Sequence, residues 1–168
     1  MNVLVAYGST RGSTAEIAEW IGETLLERGM CVDVLDAATV DSVAGYDTVV
    51  LGGALYAGRW HRASRRFARR FADELRQRPV WLFSSGPLDR TATQGTIAPV
   101  RQVARIAQRV GARGHATFGG RLSATPSGFI ARRLARTMAG DYRDQTRVTA
   151  WAYQIAAELG RFAHDTVH

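Results

Sequence analysis

Short apolar runs alternate with amphipathic stretches along this chain of 168 residues. The runs predict five strands, at about 2–7, 30–35, 47–52, 80–84 and 114–119. Apolar residues at helical spacing predict four helices, at about 13–28, 60–77, 96–110 and 145–163. Continuously apolar strands that alternate with helices are typical of a parallel sheet covered on both faces. We therefore expect an α/β protein with a single domain over residues 1–168.

The junction between the first strand and the first helix is rich in hydroxyl groups. Backbone amides and small hydroxyls at a helix N-terminus favour a bound phosphate. The alternative is an ordinary turn in which a hydroxyl caps the helix. Neither the Gly-Lys-Ser/Thr loop of nucleotide triphosphatases nor the G-x-G-x-x-G of dinucleotide-binding folds is present. This chemistry suits flavin mononucleotide (FMN) better than ATP or NAD, and the predicted phosphate-binding residues are Ser9, Thr10, Arg11, Gly12, Ser13 and Thr14.

Two further segments are expected at the same edge of the sheet, because ligands of such sheets bind beyond the carboxyl ends of the strands. Residues 53–60 combine two aromatic side chains with small residues, and residues 84–89 read as a turn with free amides. Tyr56 and Trp60 suit either contact with a planar ring or packing at a strand–helix junction. The three loops together favour the ring, with predicted contacts at Ala54, Leu55, Tyr56, Ala57, Gly58, Ser84, Ser85, Gly86, Pro87 and Leu88.

The distribution of charge indicates an anionic partner. All 22 basic residues are arginine, and the formal net charge is +7. The first 50 residues hold two arginines against eight acids, whereas residues 51–168 hold twenty against seven. Genome base composition explains the missing lysine, but the asymmetry favours an acidic substrate or a membrane surface over nucleic acid. The candidates for contact with an anionic substrate or surface are Arg59, Trp60, His61, Arg132, Arg133 and Arg136.

Residues 120–144 interrupt the strand–helix alternation before the last helix. Within this basic insert, Phe129, Ile130, Leu134 and Met138 share one helical face, and the arginines lie off it. Such a short amphipathic helix suits three environments: an anionic bilayer, the acidic groups of a substrate, or the surface of its own domain.

Several classes of protein are not expected. Cys31 is the single cysteine, which excludes an internal disulfide and favours a reducing compartment. We see no signal peptide and no apolar run near the roughly 20 residues that cross a bilayer. The four histidines are scattered rather than at ligand spacing, so no metal site is expected. The expected location is cytoplasmic, with peripheral contact to the inner membrane face through the basic insert.

These features resemble the flavodoxin family and, within it, the group of menaquinone-dependent protoporphyrinogen dehydrogenases. The flavodoxin phosphate loop is Ser/Thr-x-Thr-Gly-x-Thr; Ser9, Gly12 and Thr14 match it, and Arg11 replaces the middle threonine. The dehydrogenase group also has a Tyr-Gly-x-x-His segment and a basic insert, which correspond here to 56–61 and 119–146. The resemblance implies FMN and a flavodoxin-like three-layer sandwich, with a five-stranded parallel sheet in the order 2-1-3-4-5.

The resemblance also implies a function. An FMN-dependent oxidoreductase of this group would oxidise a protoporphyrinogen-like anionic substrate and pass the electrons to a quinone. Arginines of the insert and of the helix at 60–77 would receive the acidic groups of that substrate. The alternatives are a flavodoxin-type electron-transfer protein with a redox partner protein, which the charge of +7 disfavours, and a flavodoxin-like scaffold without FMN. His61 is the one weak candidate for a side-chain base, and the chemistry would be centred on the flavin.

Overall fold

The computed structural model describes residues 1–10, 12–86, 98–119 and 142–165. The strands are β1 (Asn2–Gly8), β2 (Cys31–Asp36), β3 (Thr48–Tyr56), β4 (Arg59–Trp60), β5 (Val80–Gly86) and β6 (Gly114–Gly119). The helices are α1 (Ser13–Glu27), α2 (Arg62–Arg70), α3 (Ala72–Arg76), α4 (Arg101–Val110) and, last in the chain, α5 (Tyr142–Asp165). All five predicted strands and the four predicted helical regions are present in the structure, with shifted boundaries.

The sheet has the order β2-β1-β3-β5-β6, and its five strands run parallel. This is the predicted order 2-1-3-4-5, because the short β4 pairs only with the end of β3 and lies off the main path. β2 pairs with one side of β1, and β3, which comes later in the chain, pairs with the other side. The gap beyond the carboxyl ends of β1 and β3 is therefore the topological switch point, where such sheets bind ligands.

Two apolar cores cover the two faces of the sheet, which confirms the predicted three-layer architecture. Leu4 and Leu51 point to one face, where they meet buried residues of α2, α3 and α4. Val5 and Val50 point to the other face, where they meet α1 and α5. This division follows from strand geometry, since successive side chains of a strand point to opposite faces.

Three local expectations were wrong. Residues 53–60 are not an open loop: β3 continues to Tyr56, and the chain folds back as β4. The helix predicted at 60–77 is divided into α2 and α3 at Phe71, although the apolar residues Phe67, Phe71 and Leu75 are buried. Ser84–Gly86 belong to β5, so the backbone amides of this segment lie within the sheet instead of in a turn.

Several predicted residues lie outside the described part of the chain. They are Arg11, Pro87, Leu88 and almost all of the insert, with Arg132, Arg133 and Arg136. Among the described residues, no helix is long and apolar enough to cross a membrane.

Candidate functional site

The loop between β1 and α1 is a tight turn closed by its own hydroxyl group. The backbone amide of Gly12 donates to Ser9 Oγ over 3.1 Å. Gly12 has a φ of 82°, a left-handed conformation that glycine adopts without the strain of a Cβ atom. This turn brings the chain directly from the end of β1 to the start of α1 at Ser13.

The N-terminus of α1 has no side-chain cap among the described residues. The backbone amide of Glu16 donates to the carbonyl oxygen of Gly12 over 3.1 Å, which begins the helical ladder. The amides of the preceding turn lack an acceptor within the helix, and they lie at the positive end of the helix dipole. Such an end is a site for an anion, above all for a phosphate group.

The N-terminus of α2 lies beside this loop and is capped by His61. His61 Nδ1 accepts from the backbone amide of Ala63 over 3.3 Å. An accepting Nδ1 leaves the hydrogen on Nε2, which lies 3.1 Å from Thr10 Oγ1 and donates to it. His61 therefore connects the start of α2 to the loop between β1 and α1.

Glycines at the ends of β1 and β3 allow α2 to approach the sheet. A Cβ atom on Gly8 would collide with the hydroxyl of Ser64 and would lie 2.9 Å from His61 Nδ1. Ser64 Oγ instead donates to the carbonyl oxygen of Gly52 over 2.7 Å, within the buried interior. The capped helix is thus held against the same strand ends that precede the anion site.

The β3–β4 hairpin forms the second part of the candidate site. Leu55 pairs with Trp60 and Tyr56 with Arg59, which leaves Ala57 and Gly58 as the turn. Their φ angles are 46° and 72°, as expected for a primed two-residue turn. Tyr56 is 68% exposed, and Arg59, its partner in the hairpin, is also exposed.

Trp60 lies in the core beneath this hairpin, although the sequence grouped it with residues of an anionic surface. Its side chain is 1% exposed, and Nε1 donates to Ser84 Oγ over 2.9 Å. Its backbone amide donates to Gln102 Oε1 over 2.9 Å. The structure thus places Trp60 in the packing role that the sequence left open, and Tyr56 is the exposed aromatic residue.

Ser84 also contacts a histidine that sequence reasoning did not select. His115 Nε2 lies 2.9 Å from Ser84 Oγ, and His115 Nδ1 is buried without a partner among the described residues. Burial lowers the pKa of His115 to about 4, so the ring is neutral at neutral pH. One lone histidine within a short strand gives no spacing signal, which is why the sequence did not identify it.

Thr14 and Ser85, both predicted cofactor contacts, bond to each other. Their hydroxyl oxygens lie 2.9 Å apart, and both side chains are buried. This bond ties the first turn of α1 to the end of β5, next to the switch point.

The structure brings most of the described candidate residues to one edge of the sheet. Ser9, Thr10, Gly12 and Ser13 lie at the start of α1, and His61 joins them through its bond to Thr10. Ala54 to Arg59 lie in the adjacent hairpin. Ser84 to Gly86 end the neighbouring strand, where Gly86 lies close to Leu55. In the part of the chain that the structure describes, no group of histidine, cysteine and acidic residues suits a metal ion.

Parts of this chain are similar in sequence to known proteins. Protoporphyrinogen IX dehydrogenase (quinone) of Escherichia coli (strain K12) is 29% identical over 86 residues, which are 50% of this chain and 48% of that protein. Flavodoxin of Nitratidesulfovibrio vulgaris (strain DSM 19637 / Miyazaki F) is 43% identical over 54 residues, which are 30% of this chain and 36% of that protein. The chain therefore matches less than half the length of either relative.

A solved structure extends the likeness to the whole fold. The crystal structure of oxidised flavodoxin 2 from Bacillus cereus superimposes with a TM-score of 0.66 at 19% identity, over 94% of this chain and 99% of that one. A sequence profile described as a flavodoxin domain matches residues 4–149. Because this profile spans most of the sequence, the chain belongs to the flavodoxin domain family.

Proposed function

We propose that this protein is an FMN-dependent redox protein, and that the start of α1 holds the phosphate of the flavin. The observation that carries the proposal is the N-terminus of α1, which has no side-chain cap from any residue that the structure describes and lies at the switch point of the sheet. The residues fit the group: a left-handed glycine leaves the helix end open, and small hydroxyl side chains flank it.

Each part of the predicted site has a distinct task in this proposal. The amides at the start of α1, with Ser9, Thr10 and Ser13, would hold the phosphate. Tyr56 and the hairpin around it would contact the ring system, since Tyr56 is an exposed aromatic residue. When bound, FMN supplies the transfer of electrons, and the protein supplies binding, orientation and electrostatics.

The proposed reaction is the oxidation of a protoporphyrinogen-like anionic substrate with a quinone, such as menaquinone, as the acceptor. Support comes from the relative that is a protoporphyrinogen IX dehydrogenase and from the net charge of +7. Arg59, exposed in the hairpin beside Tyr56, is placed to attract an acidic group toward the predicted ring site. Each pair of electrons and protons that leaves the substrate reduces one quinone to its quinol. We propose a cytoplasmic protein that meets the quinone at the membrane surface.

The proposal is tested with purified protein loaded with FMN. Protoporphyrinogen should be converted to protoporphyrin, measured by the rise of porphyrin fluorescence under anaerobic conditions, and added menaquinone should accelerate the conversion. The flavin-free protein is the control for spontaneous oxidation. Equal rates with and without menaquinone would remove the quinone-dependent reaction.

A second candidate is an electron-transfer protein, which the likeness to a flavodoxin favours. The two one-electron reduction potentials of the bound flavin distinguish the candidates. A carrier should have two well-separated potentials, with a very low second one, whereas an enzyme that passes electron pairs to a quinone should have potentials close together. A protein preparation that does not take up FMN would contradict both candidates.

A further inference from the structure

His61 is held in place by three hydrogen bonds before its ring reaches any other part of the molecule. Its backbone amide donates to the carbonyl oxygen of Ala54 over 2.8 Å, which fixes the residue to β3. Its carbonyl oxygen accepts from the backbone amide of Arg65 over 3.2 Å, and its Nδ1 accepts from the amide of Ala63. The remaining polar group of the residue, Nε2–H, donates to Thr10 Oγ1 from this rigid position.

The direction of the bond between His61 and Thr10 follows from the cap of α2. A backbone amide can only donate, so Nδ1 carries a lone pair and the hydrogen of the neutral ring lies on Nε2. Thr10 Oγ1 therefore accepts, and the hydrogen of its own hydroxyl is left to donate to a further partner. Because Thr10 is exposed, an anion that arrives from solvent has access to this hydroxyl.

The turn between β1 and α1 is fixed both from inside and from α2. The amide of Gly12 donates to Ser9 Oγ, which holds the two ends of the turn together. Thr10 lies between these ends, and it is held by His61 from 51 positions further along the chain. Ordering a loop at the moment of binding costs free energy, so a turn that is already in place binds its ligand more tightly.

We propose that His61 is a positioning residue of the phosphate site: its Nε2–H group orients the hydroxyl of Thr10 and keeps the turn in the shape that binds the anion. This inference rests on the proposed function of the α1 N-terminus. It gives His61 two separate tasks, since Nδ1 caps α2 and Nε2 serves the turn. If His61 only stabilised the fold, the FMN affinity of its variants would be unchanged or would follow their stability.

Two substitutions separate these tasks, because each retains one of the two nitrogen positions of the ring. In His61→Asn the side-chain oxygen takes the place of Nδ1, so the cap is retained, but the side chain is too short to reach Thr10. In His61→Gln the longer side chain brings its amide NH₂ group to about the position of Nε2, so the bond to Thr10 is retained. Glutamine is not among the favoured N-cap residues, so this variant loses the cap.

Titration of the purified, flavin-free protein with FMN, followed by flavin fluorescence, measures the affinity, and thermal unfolding without flavin measures the stability. His61→Asn should bind FMN about fivefold to tenfold more weakly, with a melting temperature within about 1 °C of the unmodified protein. His61→Gln should have a melting temperature about 2 to 4 °C lower, and its FMN affinity should stay within about twofold. Affinity and stability should thus change in opposite order in the two variants.

Thr10→Val tests the other partner of the bond. Valine has the shape of threonine without the hydroxyl, so this variant should lose at least as much FMN affinity as His61→Asn. The double variant Thr10→Val/His61→Asn should bind FMN within about twofold of Thr10→Val alone, because the bond is already absent there. Thr10→Ser is the matched control, since it keeps the hydroxyl, and its FMN affinity should fall less than about threefold.

Three results would overturn the proposal while FMN still binds to the unmodified protein. Weaker FMN binding by His61→Gln than by His61→Asn would mean that affinity follows stability. Unchanged FMN affinity in His61→Asn would mean that the bond to Thr10 does not serve the anion site. Losses that multiply in the double variant would mean that the two residues act independently. Absence of FMN binding to the unmodified protein would instead contradict the proposed function itself, and this inference with it.

Discussion

Two helices, α1 and α2, begin at the same edge of the sheet, and they differ in the side-chain capping of their first turns. His61 caps α2 with its own side chain, whereas α1 has no side-chain cap among the described residues. Both ends carry the positive end of a helix dipole. A helix end that is completed by the protein needs no ligand, and an uncapped end retains its affinity for an anion. The difference supports our proposal that the start of α1, and not that of α2, holds the phosphate of the cofactor.

The largest expected effect comes from placing a carboxylate at the uncapped helix end. Gly12→Asp should weaken FMN binding about 100-fold, because the carboxylate accepts from the first-turn amides and repels the phosphate. Gly12→Asn is the matched control, since both side chains tolerate a left-handed backbone and only aspartate is charged. The FMN affinity of the asparagine variant, measured in a titration followed by flavin fluorescence, should fall less than about tenfold. An equal loss of FMN affinity in both variants would show that a charge at this position does not affect FMN binding.

A third polar region, around His115, is buried. A mutation of His115 should therefore change the free energy of unfolding rather than the affinity for flavin. The pKa of His115 is lowered to about 4, so the unfolded chain takes up a proton near pH 6.5 that the native protein still excludes. The free energy of unfolding should therefore fall as the pH decreases from 6.5 toward 4, by at most about 1.4 kcal/mol per pH unit.

In the His115→Gln variant, the free energy of unfolding should no longer have this dependence on pH. Urea unfolding at pH 7.5 and 5.5 measures the difference, in a range above the titration of most carboxylates. A variant with the same dependence on pH as the unmodified protein would contradict the role of His115.

A smaller effect is expected at the capped helix. His61→Ala should lower the free energy of unfolding by about 1 kcal/mol, because the first turn of α2 loses its acceptor. His61→Asn should recover most of this stability, since asparagine is a favoured N-cap residue. An alanine variant as stable as the unmodified protein would show that the cap contributes nothing.

The smallest effect is expected in the hairpin. Ala57 is the non-glycine residue with a positive φ among the described residues, in contrast to Gly12. Ala57→Gly should raise the free energy of unfolding by about 0.5 to 1 kcal/mol through relief of this strain, and thermal unfolding measures the gain. A lower melting temperature would indicate that the freedom gained by the unfolded chain outweighs the strain.

The sequence predicted the global architecture better than the local geometry of the site. Continuous apolar runs and helical spacing specify the parallel sheet and its flanking layers, because burial on both faces dictates them. The hairpin was not predicted because its turn is Ala57-Gly58, and alanine is not a usual residue for a left-handed position. Ser84 to Gly86 were assigned to a loop because they are typical turn residues, yet all three belong to β5, and the hydroxyls of Ser84 and Ser85 make buried hydrogen bonds.

The sequence indicated only part of the candidate site, because it shows local patterns but not tertiary contacts. The proposed phosphate loop is local in sequence, so spacing alone was enough to select Ser9, Gly12 and the start of α1 as candidates. The contact between His61 and Thr10 joins residues 51 positions apart, and the contact between Ser84 and His115 joins residues 31 positions apart. Such pairs depend on tertiary packing, which the pattern of a single sequence does not contain.

The central claim is that the uncapped start of α1 holds a phosphate, and a comparison of FMN with riboflavin tests it most directly. The two flavins share the ring system and differ in the phosphate. Fluorescence titrations of the purified, flavin-free protein should show that FMN binds at least about 100-fold more tightly than riboflavin. Equal affinity for the two flavins, or no binding of either, would contradict the account.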